Sequence, residues 1–205
     1  MNTQTIITAV QSILQDTGTR WTTAELVEHL NDGQREIAMM RPDMFMTTAS
    51  IPLVLGAKQS MPTSAQNQVE IIRNTNGGSI RQVDRNMLDA IDRNWYTKTP
   101  SLTIKQFCYD QREPDVFYVY PPAAVGASVD AVYSALPADT TLGGVINCKD
   151  ICKNPLIHFV LFRAYAKDSE FADIAGLSAS HYQLFKAELA QDAATSQSVQ
   201  PTPTN

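Results

Sequence analysis

The sequence predicts an α+β fold in which helices from both chain ends form a bundle around an inserted, antiparallel β-rich lobe. Three observations predict it. Apolar residues recur at helical spacing in residues 1–46 and again in 150–194, while 47–149 switches to period-two alternation with aromatic and β-branched runs. Residues 195–205 then lose nearly all apolar content and read as an extended C-terminal tail. With 43% hydrophobic and 18% charged residues in 205, the bulk of the chain can bury a core.

Ile6, Ile7, Val10, Ile13 and Leu14 form the stripe of a first helix, over 3–16, with Gly18 placed to stop it. A second helix opens after Thr22, whose hydroxyl can accept a backbone N–H while Glu25 reaches back to complete a capping box. It carries Leu26, Val27, Leu30, Ile37 and Met40 and ends at Arg41, because Pro42 disfavours helical geometry before it. Ile51, Leu53 and Leu55 then alternate as an edge strand that tolerates Pro52.

Val69–Thr75 and Ser79–Asp84 flank Asn76-Gly77-Gly78, residues that accept the positive backbone angles of a tight hairpin. Asp84 caps a short helix over 85–92 bearing Met87, Leu88 and Ile91. Leu102–Tyr109, Val116–Tyr120 and Ser128–Ala135 follow as an antiparallel meander. After a loop over 136–149, Leu156 to Ala166 is apolar all round, with Pro155 in its first turn, and predicts a central helix. A break near Asp168–Ser169 leads to a last helix, 170–194, with Phe171, Ile174, Ala175, Tyr182, Phe185 and Leu189 facing inward as the second arm of an αα-hairpin.

Twenty-one acidic against sixteen basic residues give a net charge of −5, which argues against a protein built to grip phosphate. The loose cluster Arg73, Arg81, Arg85 and Arg93 is interrupted by Asp84, Asp89 and Asp92. No run suits a membrane span, and the polar start Met1-Asn2-Thr3-Gln4 lacks the pattern of a secretion signal, so the expectation is a soluble protein made in a cytoplasm. Cys108, Cys148 and Cys152 read as reduced thiols, and His29, His158 and His181 carry no motif, so neither metal nor cofactor is expected. Carboxylate pairs such as Glu25 with Glu28 or Asp89 with Asp92 would be needed for a cell-wall hydrolase, but helical spacing alone brings such pairs together.

Three segments carry a resemblance. They are Arg20-Trp21-Thr22 through Leu30-Asn31-Asp32-Gly33-Gln34-Arg35 to Arg41-Pro42; Phe107-Cys108-Tyr109-Asp110 with Phe117-Tyr118-Val119-Tyr120-Pro121-Pro122 and Val132-Tyr133-Ser134-Ala135-Leu136-Pro137; and Leu161 to Asp168 followed by His181-Tyr182 and Phe185. Together, in this order, they resemble the head–tail adaptors of short-tailed phages, the gatekeeper or tail tubular A-like proteins. Asp110-Gln111-Arg112 departs from the family, whose members tend to have proline after the aspartate, and Pro155 enters a helix that is usually uninterrupted.

The resemblance implies a non-enzymatic part of the virion: a twelve-membered homo-oligomeric ring at the head–tail junction, assembled in the bacterial host. Its partners would be the portal protein and the tail nozzle, with genomic DNA in transit and no membrane. The tail residues Ser198, Val199, Gln200, Pro201, Thr202, Pro203, Thr204 and Asn205 are the expected portal-docking segment, since a polar terminus with two prolines orders mainly where a partner holds it. Asn76, Gly77, Asp110, Gln111, Arg112, Tyr118 and Tyr120 are expected at a subunit or nozzle interface. Two-sided core packing would account equally for the aromatics between 107 and 120. Trp21, Arg35, Arg163 and Tyr165 are expected in structural roles: Trp21 as a staple on the second helix, and the arginines paired with Glu36, Asp168 or Asp173 or with a neighbouring copy. An acidic balance would also suit a bore that repels passing duplex.

Overall fold

The computed structural model describes residues 1–167 and 172–198, without the side chains of residues 67, 68, 172, 173 and 192–198. In chain order the elements are α1 (Thr3–Leu14), α2 (Thr23–Met40), β1 (Met46–Pro52), β2 (Gly56–Ser60), β3 (Ala65–Asn74), β4 (Arg81–Gln82), α3 (Arg85–Ile91), β5 (Gln106–Tyr109), β6 (Val116–Ala123), β7 (Ser128–Ala135), α4 (Lys153–Ala166) and α5 (Ala172–Ser198). The chain divides into a helical unit, Met1–Met44 with the described residues from Pro137 onward, and a β unit, Phe45–Leu136.

In the helical unit α1 buries Ile6, Ile7 and Val10 but leaves Ile13 exposed. It stops earlier than Gly18: Gln15 adopts the left-handed conformation (φ 52) and its N–H closes on Gln11 O. Asp16 then accepts from the backbone N–H groups of Thr19, Arg20 and Trp21. These bonds, Trp21's foremost, hold its carboxyl below the usual range. Thr22 caps α2 by accepting from Glu25 N at 3.3 Å. The reciprocal half of the capping box is missing, and the Glu25 carboxylate instead takes the Lys167 ammonium at 2.9 and 3.0 Å, a bond in which both partners are charged.

α4 is the hub, packing against α5, α2 and α1. Gly33 permits its close approach to α2, since a Cβ there would lie 2.9 Å from Phe159 Cδ1. Trp21 is buried, and its indole donates to Ala164 O at 3.0 Å. It thus satisfies a carbonyl in the last turn of α4, tying the residue before the α2 cap to that helix. Arg35 bonds Asp32 at 3.0 Å and also Asp139, while Arg163 faces Asp32 at 3.8 Å. One aspartate therefore serves both arginines. Of the predicted partners Glu36 is not used, and Asp168 and the Asp173 side chain lie outside the described residues.

Residues 137–149, expected with the β lobe, belong to the helical unit. Asn31 exchanges two hydrogen bonds with the Thr140 backbone (3.1 and 2.9 Å), Thr3 and Thr140 hydroxyls meet at 2.9 Å, and Ile146 N donates to Met1 O. Buried polar groups need such partners, and the N-terminal residues together with α2 supply these. The expectation of three reduced thiols is also corrected: the one-turn 3-10 helix Asp150–Cys152 brings the Cys148 and Cys152 Cα atoms to 6.4 Å, and the two are joined in a disulfide. Cys108 remains a free, buried thiol.

On α5, Phe185 and Leu189 are buried and Ile174, Ala175 and Tyr182 half-buried. Phe171 and the break at Asp168–Ser169 lie outside the described residues. The helix continues to Ser198, so residues 195–198 are helical rather than extended tail. Ala193 and Ala194 favour helix, and no proline intervenes before Pro201.

The β unit contains two sheets, ordered β1-β7-β3 and β2-β6-β5-β4. Their inner faces share one core: Ile51, Val69, Ile71, Val129, Ala131 and Tyr133 meet Phe107, Phe117 and Val119. β1 is an edge strand, as its proline suggested. The predicted meander is not formed, because β5 and β6 pair with each other while β7 pairs between β1 and β3 in the other sheet.

The predicted hairpin is only begun. Asn74 N donates to Gly78 O, Arg73 bridges Ser79, and beyond Ile80 the chain crosses to pair β4 parallel with β5. Neither Gly77 nor Gly78 adopts a positive φ, which belongs instead to Gln15, Gly18, Gly56 and Gly126. The crossing is held by the buried Asn74 amide, which donates to Ile104 O (2.8 Å) and accepts from Ile104 N (2.7 Å). On the outer face of the second sheet, α3 and the 3-10 turn Trp95–Thr97 pack Leu88 and Trp95 on Ala57 and Cys108. Of the predicted apolar side of α3 only Leu88 is buried; Met87 and Ile91 are exposed.

Candidate interaction surface

Strand alternation decides where the aromatics of β6 go. Phe117 and Val119 point into the inter-sheet core, and Tyr118 and Tyr120 point outward to the layer made by α3 and Trp95. Tyr118 and Tyr120 are half-buried there. Tyr118 meets Trp95 and Tyr96 edge-on at 6.3 and 6.0 Å. The sheet is thus packed on both sides, and of these two tyrosines only Tyr118 also lines an open groove.

That groove, of about 730 Å³, lies between the start of α3 and the β5–β6 turn. Asp84 caps α3 by accepting from Asn86 N at 2.7 Å. Arg85 follows, its guanidinium over the rings of Tyr96 (5.9 Å) and Tyr118 (5.7 Å) and facing Asp89 at 3.8 Å. Asp89 in turn accepts from the Trp95 indole at 2.8 Å. Across the groove, Asp110 accepts from the Arg112 backbone N–H at 3.0 Å and grips its guanidinium at 2.6 Å. Those bonds hold the Asp110 carboxyl at about 2, so the turn keeps its charge pair through the neutral range.

Of the residues singled out from sequence, Asp110, Gln111, Arg112 and Tyr118 therefore converge on one groove with Arg85, Asp89 and Glu113. Asn76 and Gly77 are exposed on their own turn and do not line it. Ser198 ends α5, and Val199, Gln200, Pro201, Thr202, Pro203, Thr204 and Asn205 lie outside the described residues. Asp84 and Glu113 gave no sequence signal as groove residues, since only tertiary placement brings the α3 cap beside the β5–β6 turn.

The groove wall includes a thiol, Cys108, and the carboxylates Asp84, Asp89, Asp110 and Glu113. Cys108, on its wall, has its thiol pushed up to about 11 by burial, the reverse of an activated nucleophile. Of the carboxylates weighed for hydrolysis, Glu25 is bonded by Lys167, Asp89 by Trp95, and Asp92 by Lys98 at 2.6 Å, which holds Asp92 below the usual range. Among the described residues no group of three or more ligating side chains could hold a metal.

In the helical unit the structure assembles a cluster that spacing hid. His158 and His181 place their Nδ1 atoms 2.9 Å apart, Tyr165 stacks on the His181 ring at 5.6 Å, and His158 Nε2 faces Glu188 at 3.7 Å. Burial first, then His158, lowers the His181 pKa. A bond between two imidazole nitrogens needs one of them unprotonated, so the cluster stitches α4 to α5 with at most one proton between the facing atoms.

No described helix is long and apolar enough to cross a membrane. The chain matches the family model of the SU10 adaptor proteins over residues 1–204. No curated protein matches it.

Proposed function

We propose, on the premise that the chain belongs to the SU10 adaptor protein family of phage head–tail adaptors, that it assembles into a ring seated on the portal and joining it to the tail nozzle, with a channel for DNA. The observation that carries the reading is the family match from the first residue to 204. A ring of about twelve copies at the head–tail junction needs two different complementary flanks on each copy. It also needs no reaction: surface fit, repeated around the ring, holds the joint by avidity.

The β unit supplies exposed turns for a neighbouring copy or the nozzle. One presents Asn76 and Gly77; the other, Asp110, Gln111 and Arg112, is stiffened by its own charge pair beside Tyr118. Tyr120, half-buried beneath the outer layer, supports this face rather than forming its rim. The portal-docking segment is Ser198 to Asn205, which leaves the end of α5 carrying two prolines that reduce the entropy lost on ordering. Copies are made in the host cytoplasm and dock on the filled head.

Deleting Ser198–Asn205 tests the docking. Co-sedimentation with the purified portal should fall about tenfold or more, because each copy in the ring loses its contact, while circular dichroism keeps its helical and strand signal. Unchanged binding would remove the segment from the interface.

A further inference from the structure

His158 on α4 and His181 on α5 meet through a bond that the assembly reading does not use. Their ring centroids are 5.2 Å apart, which is the 2.9 Å between the Nδ1 atoms plus about one ring radius at each end. The two nitrogens therefore lie on the line of centres and aim at each other. A proton fits between them, donated by one imidazole and accepted by the other. A metal does not, since its ligands converge from separate directions, and no described group of three ligating side chains could hold one.

Such a bond survives with one proton between the facing atoms. A second charge ends it. An imidazolium donates at both nitrogens and accepts at neither, so two of them would point N–H at N–H across 2.9 Å and repel as like charges. Glu188 of α5 faces the pair, with Oε1 3.7 Å from His158 Nε2, and its Oε2 is buried without a hydrogen-bond partner. One carboxylate offsets one imidazolium and leaves the other uncompensated. Around them, Tyr165 of α4 stacks on the His181 ring and Lys186 of α5 lies over Tyr182 at 4.7 Å. α1 has no ionisable side chain, and α2 pairs Glu25 with Lys167 and Asp32 with Arg35 and Arg163.

We infer that the His158–His181 pair is an acid-sensitive latch, closed on one shared proton and opened by a second, that fastens the first half of α5 to α4. Protons reach it, because the His158 side chain is 22% exposed. Burial first, then His158, lowers the His181 pKa. The stability it contributes is therefore whole above the ordinary imidazole value of about 6.5 and is lost as the pH falls below that value through the folded one. His29 shifts in the same direction, through burial and then Arg163, but stands on α2. Further along α5, Phe185 and Leu189 are buried and carry no charge, so the loosening is confined to residues 176–184. The latch belongs to a single copy and stands whether or not copies form a ring.

Nuclear magnetic resonance of the full-length wild-type chain, following the histidine side-chain nitrogens from about pH 8 to about pH 5, tests the pair directly. His158 and His181 should respond in two shared steps, because each senses its partner's proton, and His29 in one. Over the same range amide exchange, corrected for its intrinsic pH dependence, should show residues 176–184 losing about tenfold or more of their protection, the weight of one hydrogen bond to a charged group. His158→Gln keeps a donor and an acceptor without a titration and should abolish that loss, whereas His29→Gln should retain it. Independent single steps for His158 and His181, or equal protection at both ends of the range, would overturn the latch. So would an acid response that survives His158→Gln or disappears with His29→Gln. The shared titration is read on the wild type, so it decides the matter even where a variant fails to fold.

Discussion

Replacing Trp95 by alanine should destabilise the β unit by about 3–5 kcal/mol, the usual cost of deleting a large buried aromatic. The indole is fully buried, stacks on Tyr96 at 3.7 Å, meets Tyr118 edge-on and donates to Asp89. Its loss would open a cavity over the outer face of the four-stranded sheet and strip Asp89 of its donor, loosening the groove wall with the core. Trp95→Phe keeps much of the volume but not the N–H and should fall between alanine and wild type. Urea unfolding followed by circular dichroism measures both. A Trp95→Ala shift within about 0.5 kcal/mol, the range of surface substitutions, would show that this layer does not cover the sheet.

Phe185→Ala should cost about as much in the helical unit, again about 3–5 kcal/mol. Phe185 is fully buried, packed edge-on to Phe159 at 5.2 Å and stacked with Tyr182 at 6.0 Å, and it fastens α5 to α4. The adjacent Leu184 faces outward, so Leu184→Ala should stay within about 0.5 kcal/mol. Trp21 reports the difference, because its indole is bonded to Ala164 O in α4 and fluorescence from a Trp95→Phe background isolates it. Equal losses from both alanine variants would mean that α5 is rotated from the orientation described.

The helical elements were legible because helix signals are local. Thr22 caps α2, Pro42 ends it, and the apolar stripes name the buried faces, all within a few residues of the feature they specify. The strands were legible as strands but not as a topology. Alternation fixes which side chains share a face, as it did for Phe117 and Val119 against Tyr118 and Tyr120, yet says nothing about which strand lies alongside. The meander and the full hairpin failed for that reason. Asn74, bonding residue 104 across thirty positions, pulls the returning limb into the other sheet.

The site was legible in part for the same reason. Asp110, Gln111 and Arg112 announced a turn, and it lies on the groove. The α3 half of the groove, the His158–His181 contact and the docking of Thr140 on Asn31 all join distant segments, and no local pattern encodes them. Glu25 was misread because its better partner, Lys167, lies 142 residues away.

Electron microscopy of the purified chain mixed with its portal tests the central claim most directly. The account predicts a closed ring of copies, coaxial with the portal and covering one of its ends. Portals that stay bare, or that carry single copies scattered off the axis, would contradict it.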